Sequence, residues 1–272
     1  MSRRKELLYN MKSANAKTIQ EAFTLQSENF ETSKMNFSKK DYLDYVAASA
    51  EPKQSDSVLE VAAGTCACGR TLAPFVQNVT CLDMTPAMLT VGRKEAEKQG
   101  VSNMTYVIGD AQELPFIDNS FDIVISRLAF HHFPEVQQPF SEMVRVLKPN
   151  GKLIMIDMEA SEETLRQVRD EIETMRDPSH VRNLSKAEML KLFADHSLSI
   201  EKCETTNMPA LLNNWMELTK TPAPVREEIT MRFQDDLSGK EKTGFDPYQT
   251  EKGISFSHKW VLVIGRKALQ DS

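Results

Sequence analysis

Cysteine is scarce, with four residues in 272, too few for a disulfide framework to hold the chain together. No apolar run approaches the ~20 residues that a membrane-spanning helix needs. The opening residues, Met1 to Glu6, run into a mixed helical stretch and lack the apolar core of a secretion signal. A surplus of positive charge is missing too: 33 basic residues face 39 acidic ones, a net charge of −6. That balance argues against a broad nucleic-acid footprint. Internal repeats and low-complexity tracts are absent. The expectation is a soluble, cytoplasmic protein with no membrane span and no nucleic-acid partner. One large domain, or one with an insertion, suits this length.

What is present has a clear rhythm. Residues 1–55 are polar, and their apolar residues, Ala22, Phe23, Leu25 and Phe30, are too scattered for one stripe, so short helices are predicted there. From Val58 onward, apolar runs alternate with helical stretches. Strands are predicted at 58–62, 79–83, 104–108, 122–127 and 152–157, and helices at 68–75, 86–99 and 137–148. Thr85 stands as an N-cap and Pro86 in the first turn of the second helix. Alternation at this spacing predicts a parallel sheet covered on both faces. Beyond Asp157, helices are predicted at 160–176 and 185–196, the latter capped by Ser185, then an edge strand at 199–207. Residues 208–253 read as mostly helical, and 258–266 as a last strand.

The chemistry sits in the turn Glu60-Val61-Ala62-Ala63-Gly64-Thr65-Cys66-Ala67-Cys68-Gly69, between the first strand and a helix. Small residues there let backbone N–H groups approach a ligand. In open α/β sheets, ligands lie at the carboxyl ends of the strands. Asp83 ends the second strand, where an acid can accept two hydrogen bonds from a ribose diol. Gly109-Asp110-Ala111 follows the third, where a carboxylate beside a free N–H suits the amino edge of adenine. His131 and His132 follow the fourth strand at the rim of the same site, as candidates for a base. Cys66 and Cys68 have no Cys or His partners at ligand spacing, so no metal is expected and they read as buried thiols. His180 and Arg182 are candidates for binding an acidic acceptor, and Trp215 and Phe256 for an apolar wall, though core packing is the commoner fate of such residues.

Taken together, Val58-Leu59-Glu60-Val61-Ala62-Ala63-Gly64-Thr65, Leu82-Asp83-Met84-Thr85-Pro86, Gly109-Asp110-Ala111 with Leu114-Pro115-Phe116, Phe121-Asp122-Ile123-Val124 and Arg145-Val146-Leu147-Lys148-Pro149 resemble the class I S-adenosylmethionine (SAM) dependent methyltransferases. The likeness is to the ubiquinone/menaquinone-biosynthesis group and covers about residues 35–158. It implies a doubly wound, mostly parallel, seven-stranded Rossmann-like α/β sheet with helical lid insertions. It divides the chain into a helical cap (1–50), a SAM-binding core (51–158), a helical lid with an edge strand (159–256) and a final strand and tail (257–272). It also implies roles: Glu60, Ala62, Ala63, Gly64 and Thr65 around the methionine part of SAM, Asp83 on the ribose, Met84 on the adenine, Asp110 and Ala111 on its amino edge, and Ser126 near the methionine amine. From their place at the rim, His131 or His132 is the expected catalytic base. The methyl acceptor implied is a small molecule, and a homodimer is compatible with the pattern. The alternatives are a SAM-binding accessory protein without turnover and a methyltransferase of RNA or protein. Two departures stand out: Ala62 and Cys66 replace the first and last glycines of the group's loop, and Cys66 is expected to need an ordinary φ.

Overall fold

A computed structural model describes residues 3–31 and 40–269, with side-chain surroundings from Asn15 onward. The sheet is built on β1 (Ser57–Val61), β2 (Asn78–Asp83), β3 (Met104–Ile108), β4 (Phe121–Arg127), β5 (Leu147–Met158), β6 (Leu198–Leu211), β7 (Tyr248–Thr250) and β8 (Gly253–Lys267). Seven strands run in the order β3-β2-β1-β4-β5-β8-β6, and β7 pairs with β8 outside that path. β1 to β5 are mutually parallel, while β8 lies antiparallel between β5 and β6. The order reverses at β1, whose neighbours β2 and β4 lead to opposite halves of the sheet. A crevice opens at the strand tips at such a point.

Pleating decides what each strand offers to each face. Val58, Ile123, Ile125, Ile154 and Ile156 join one core layer, while Leu59, Val61, Val124, Leu153 and Met155 join the other. Successive side chains of a strand alternate between faces. Glu60 therefore shares a face with Val58, and Arg127 shares one with Ile125. The first layer packs α2 (Lys40–Ala50) and α3 (Ala67–Leu72), and the second packs α5 (Gln137–Val146) and α7 (Lys186–Asp195). Ser185 caps α7 reciprocally: its Oγ accepts from Glu188 N at 3.2 Å and its N–H donates to Glu188 Oε2 at 2.7 Å.

The N-terminal prediction needs correcting. One long helix, α1 (Arg3–Gln26), runs through the first half of the stretch predicted as short helices. Its inner face is Ile19, Phe23 and Gln26, spaced i, i+4, i+7, and a polar member hides that stripe from a hydrophobic reading. The stretch predicted as mostly helical at 208–253 holds α8 (Leu212–Leu218) and α9 (Ala223–Leu237), then turns into β7. Between β5 and β6, α6 (Glu163–Arg176) precedes α7. A third apolar cluster joins α6, α8, α9 and β8 through Ile172, Trp215, Phe233, Phe245 and Phe256.

Candidate active site

A cavity lies over the tips of β1 to β5. Its floor is Ala62 to Thr65 after β1, Asp83 and Met84 at β2, Gly109 and Ala111 after β3, Arg127 to Ala129 at β4, and Met158 at β5. Its roof is α1 with Phe30, the α6–α7 connection at Arg176 and Asp177, and α8 at Trp215 and Leu218. Asn15 donates to His132 O and Gln20 to Met84 O, which bonds the roof helix to the wall below, and Gln26 donates to Asp177 Oδ2 within the roof.

Asp83 is buried, and its carboxylate is fixed by two backbone donors, Gly64 N and Thr85 N, both at 2.8 Å. Burial pushes its pKa up, and those two N–H groups pull the other way. Thr85 precedes the helix α4 (Pro86–Lys98) but, against the expectation of an N-cap, makes no side-chain cap bond; its backbone N–H donates to the Asp83 carboxylate. The loop below is strained. Ala62, Gly64 and Cys66 have φ of +50, +53 and +60°. Only glycine adopts that region freely, and other residues lose ~1–2 kcal/mol there. Cys66 thus does not keep the ordinary φ expected of it: it takes the left-handed conformation of the glycine it replaces. Its thiol is fully buried in the core layer and does not line the cavity.

Three of the residues expected around SAM do not reach the cavity wall. Glu60 lies on the α3 face of β1 and accepts from Cys68 N at 3.3 Å and Gly69 N at 2.7 Å, so its carboxylate ties the loop to α3. Burial raises its pKa, against the Gly69 N–H. Asp110 folds back on its own turn, accepting from Gln112 N at 2.8 Å. Ser126 is buried within β4, with no partner for its Oγ, while Arg127 and Leu128 beside it line the cavity. Ala62, Ala63, Gly64, Thr65, Asp83, Met84 and Ala111 all stand on the wall, as do His131 and His132. Of the outlying candidates, Trp215 lines the cavity and Phe256 is core. His180 is bonded to Asp170 at 3.1 Å and Arg182 to Glu188 at 2.8 Å, both away from the cavity.

The two histidines sit in different electrostatic surroundings. His131 Nδ1 is 2.6 Å from Asp157 Oδ1, and Phe130 N and Met158 N also donate to that carboxylate at 2.7 Å. Asp157 accepts only, so Nδ1 carries the proton and Nε2 keeps its lone pair for the cavity. Burial works most strongly against a charged His131, yet the charge and hydrogen bond of Asp157, joined by the charges of Glu173 and Asp177, together lift its pKa above the ordinary value. His132 Nδ1 faces Ser179 O at 3.0 Å, and Ser179 Oγ donates to Asp177 Oδ1 at 2.5 Å. Burial, with the charge of His131, pushes His132 down to about 3. Asp157, Asp177, Gln26 and Arg176 were not singled out in the sequence. Asp157 could have been, by applying the strand-end rule to β5 as it was to β2.

A parallel sheet that grips an acid at its second tip beside a small-residue turn defines a nucleoside-binding α/β enzyme. Residues 59–155 match the family model described as Methyltransferase domain. The uncharacterized methyltransferase YcgJ of Bacillus subtilis is 31% identical over 253 residues, spanning 92% of this chain and 99% of the relative. Its crystal structure superposes with a TM-score of 0.77 at 30% identity, covering 85% of this chain and 99% of that one. A demethylmenaquinone methyltransferase of Listeria monocytogenes is 38% identical over 108 residues, 39% of this chain and 46% of its own length. The chain belongs to the class I SAM-dependent methyltransferases. The geranyl diphosphate C-methyltransferase of Streptomyces coelicolor, solved with S-adenosyl-L-homocysteine, shares the fold at a TM-score of 0.59 and 13% identity, covering 85% of this chain and 79% of that one.

Proposed function

We propose that the chain moves the methyl group of SAM to a small-molecule acceptor held in the roofed cavity. When bound, the donor supplies an electrophilic methyl on a sulfonium. The residues present fit it. Asp83 offers acceptor lone pairs to ribose hydroxyls, Met84 and Met88 an apolar surface to the base, and Ala111 a backbone N–H at its rim. His131 Nε2 is the group on this wall that can take a proton from the acceptor, with Asp157 fixing its tautomer. Ile19, Phe23, Phe30 and Trp215 close the acceptor end with apolar surface and exclude water. The observation that carries this reading is the enclosure: Asp83, the His131–Asp157 pair and the aromatic roof share one cavity.

Calorimetry with SAM tests it. Asp83→Ala weakens binding about ten-fold or more, ~1.4 kcal/mol, and methyl label supplied with a cell extract is recovered at low mass. Unchanged affinity overturns the ribose role, and label in RNA or protein overturns the acceptor class.

A further inference from the structure

We propose that Arg127 is the docking point for the carboxylate at the amino-acid end of the donor, an inference that rests on the preceding reading. Arg127 is the last residue of β4 and lines the cavity. It continues the face of Ile123 and Ile125, and Ile125 pairs with Glu60, so its side chain emerges beside the start of the 62–65 loop. The Nε and Nη1 of Arg127 are sealed from solvent and find no hydrogen-bond acceptor. Its guanidinium lies over the Trp260 ring at 5.8 Å. Glu60 feels the charge of Arg127 but forms no ion pair with it, its carboxylate being turned to Cys68 N and Gly69 N. The Cys68 thiol is pushed up to about 12 by burial, against the pull of Arg127, so it stays a neutral neighbour.

Nitrogen donors cut off from water and left without an acceptor are unfavourable, and on the half-buried Arg127 two are in that state. The other arginine on the wall, Arg176, is ion-paired with Glu173 at 3.7 Å and Asp177 at 3.9 Å. Arg127 is in no ion pair among the described residues, so it is the cationic fork left for a bidentate carboxylate. The placement agrees. Asp83 ends β2 and Arg127 ends β4, with β1 between them. Two strand spacings separate these tips, ~10 Å, a distance that the chain between the ribose and the carboxylate of the donor can cover. The nucleoside would then be held on one side of the switch point and the amino acid on the other.

Two probes separate this role from a structural one. S-adenosylhomocysteine carries the carboxylate, whereas 5′-methylthioadenosine has the same nucleoside and sulfur without the amino acid. Calorimetry of Arg127→Met should show homocysteine-compound affinity reduced about ten-fold or more, and methylthioadenosine affinity within about two-fold of wild type. Arg127→Lys should recover part of the loss, since it keeps the charge without the fork. An equal loss for both probes overturns the proposal, because the residue would then be supporting the fold. So does an unchanged affinity for both. Wild-type protein that binds neither probe overturns the donor reading itself, a result distinct from either of these.

Discussion

His131 and His132 are adjacent, with ring centroids 4.1 Å apart, yet their proton affinities diverge. One carboxylate makes the difference: Asp157 is 2.6 Å from His131 Nδ1, whereas His132 has a carbonyl there. A charged His131 then penalises a second charge on His132, beyond what burial already does. His131 therefore titrates above the ordinary imidazole value, and His132 stays neutral through the physiological range. A base must be free of its proton, so turnover should rise with pH through the elevated His131 value. Imidazole NMR titration should give His131 a midpoint above ~6.5. Asp157→Asn removes the charge that opposes burial, and should bring that midpoint below ~6.5. His131→Gln should abolish that rise and cost ~10²–10⁴ in rate. A rise that survives in His131→Gln, or a His131 midpoint indifferent to Asp157, would sink the assignment.

The turn between β1 and α3 is an element held under strain by its neighbours. Ala62 and Cys66 occupy left-handed backbone, and the Glu60 carboxylate compensates by gathering the N–H groups of Cys68 and Gly69 at the start of α3. Gly69 makes this possible by lacking a side chain: a methyl there would stand 2.8 Å from Glu60 Oε2 and 2.9 Å from Cys81 Sγ. Gly69→Ala should therefore destabilise by ~1–3 kcal/mol, lowering the thermal midpoint by ~2–4 °C per kcal/mol, and should weaken donor binding by loosening the loop. A wild-type midpoint would show that Glu60 is not a latch. The strands were legible in the sequence because burial on both faces demands continuous apolar runs such as Ile123-Val124-Ile125. The side each strand residue takes was not. Ser126 lies off the cavity and Arg127 on it because of pleat parity, which shows only once the core layers are assembled, whereas Glu60, on the same face as Arg127, sits one residue back from the end of β1 and is taken up by the N–H groups of α3. The roof helix was obscured for another reason: its inner stripe depends on Gln26 bonding Asp177, 151 residues away.

Across the whole molecule, buried neutral histidines make stability depend on pH. His132 is pushed down to about 3, and His258 lies well below its ordinary value through burial and the nearby Arg169. In the unfolded chain both bind protons near ~6.5. Between that pH and the native value of His132, the unfolded state holds a proton that the native state refuses, so acidification favours unfolding by ~1.4 kcal/mol per pH unit per group. Asp157 and Asp177 act in the same direction at lower pH: their depressed values add stability that is lost as carboxylates protonate. His131 runs the other way, since its raised value adds stability that is complete below ~6.5 and fades as pH rises through the native value. Glu60 and Asp83, raised by burial, also lean that way within the acidic range. A single curve mixes these signs, so the decisive quantity is a difference. Urea unfolding of wild type and His132→Asn at pH 7 and pH 5 should show the wild type losing ~2–3 kcal/mol more on acidification. Parallel losses in the two proteins would mean that His132 takes up its proton in the native state, and the neutral half of the histidine pair would be lost.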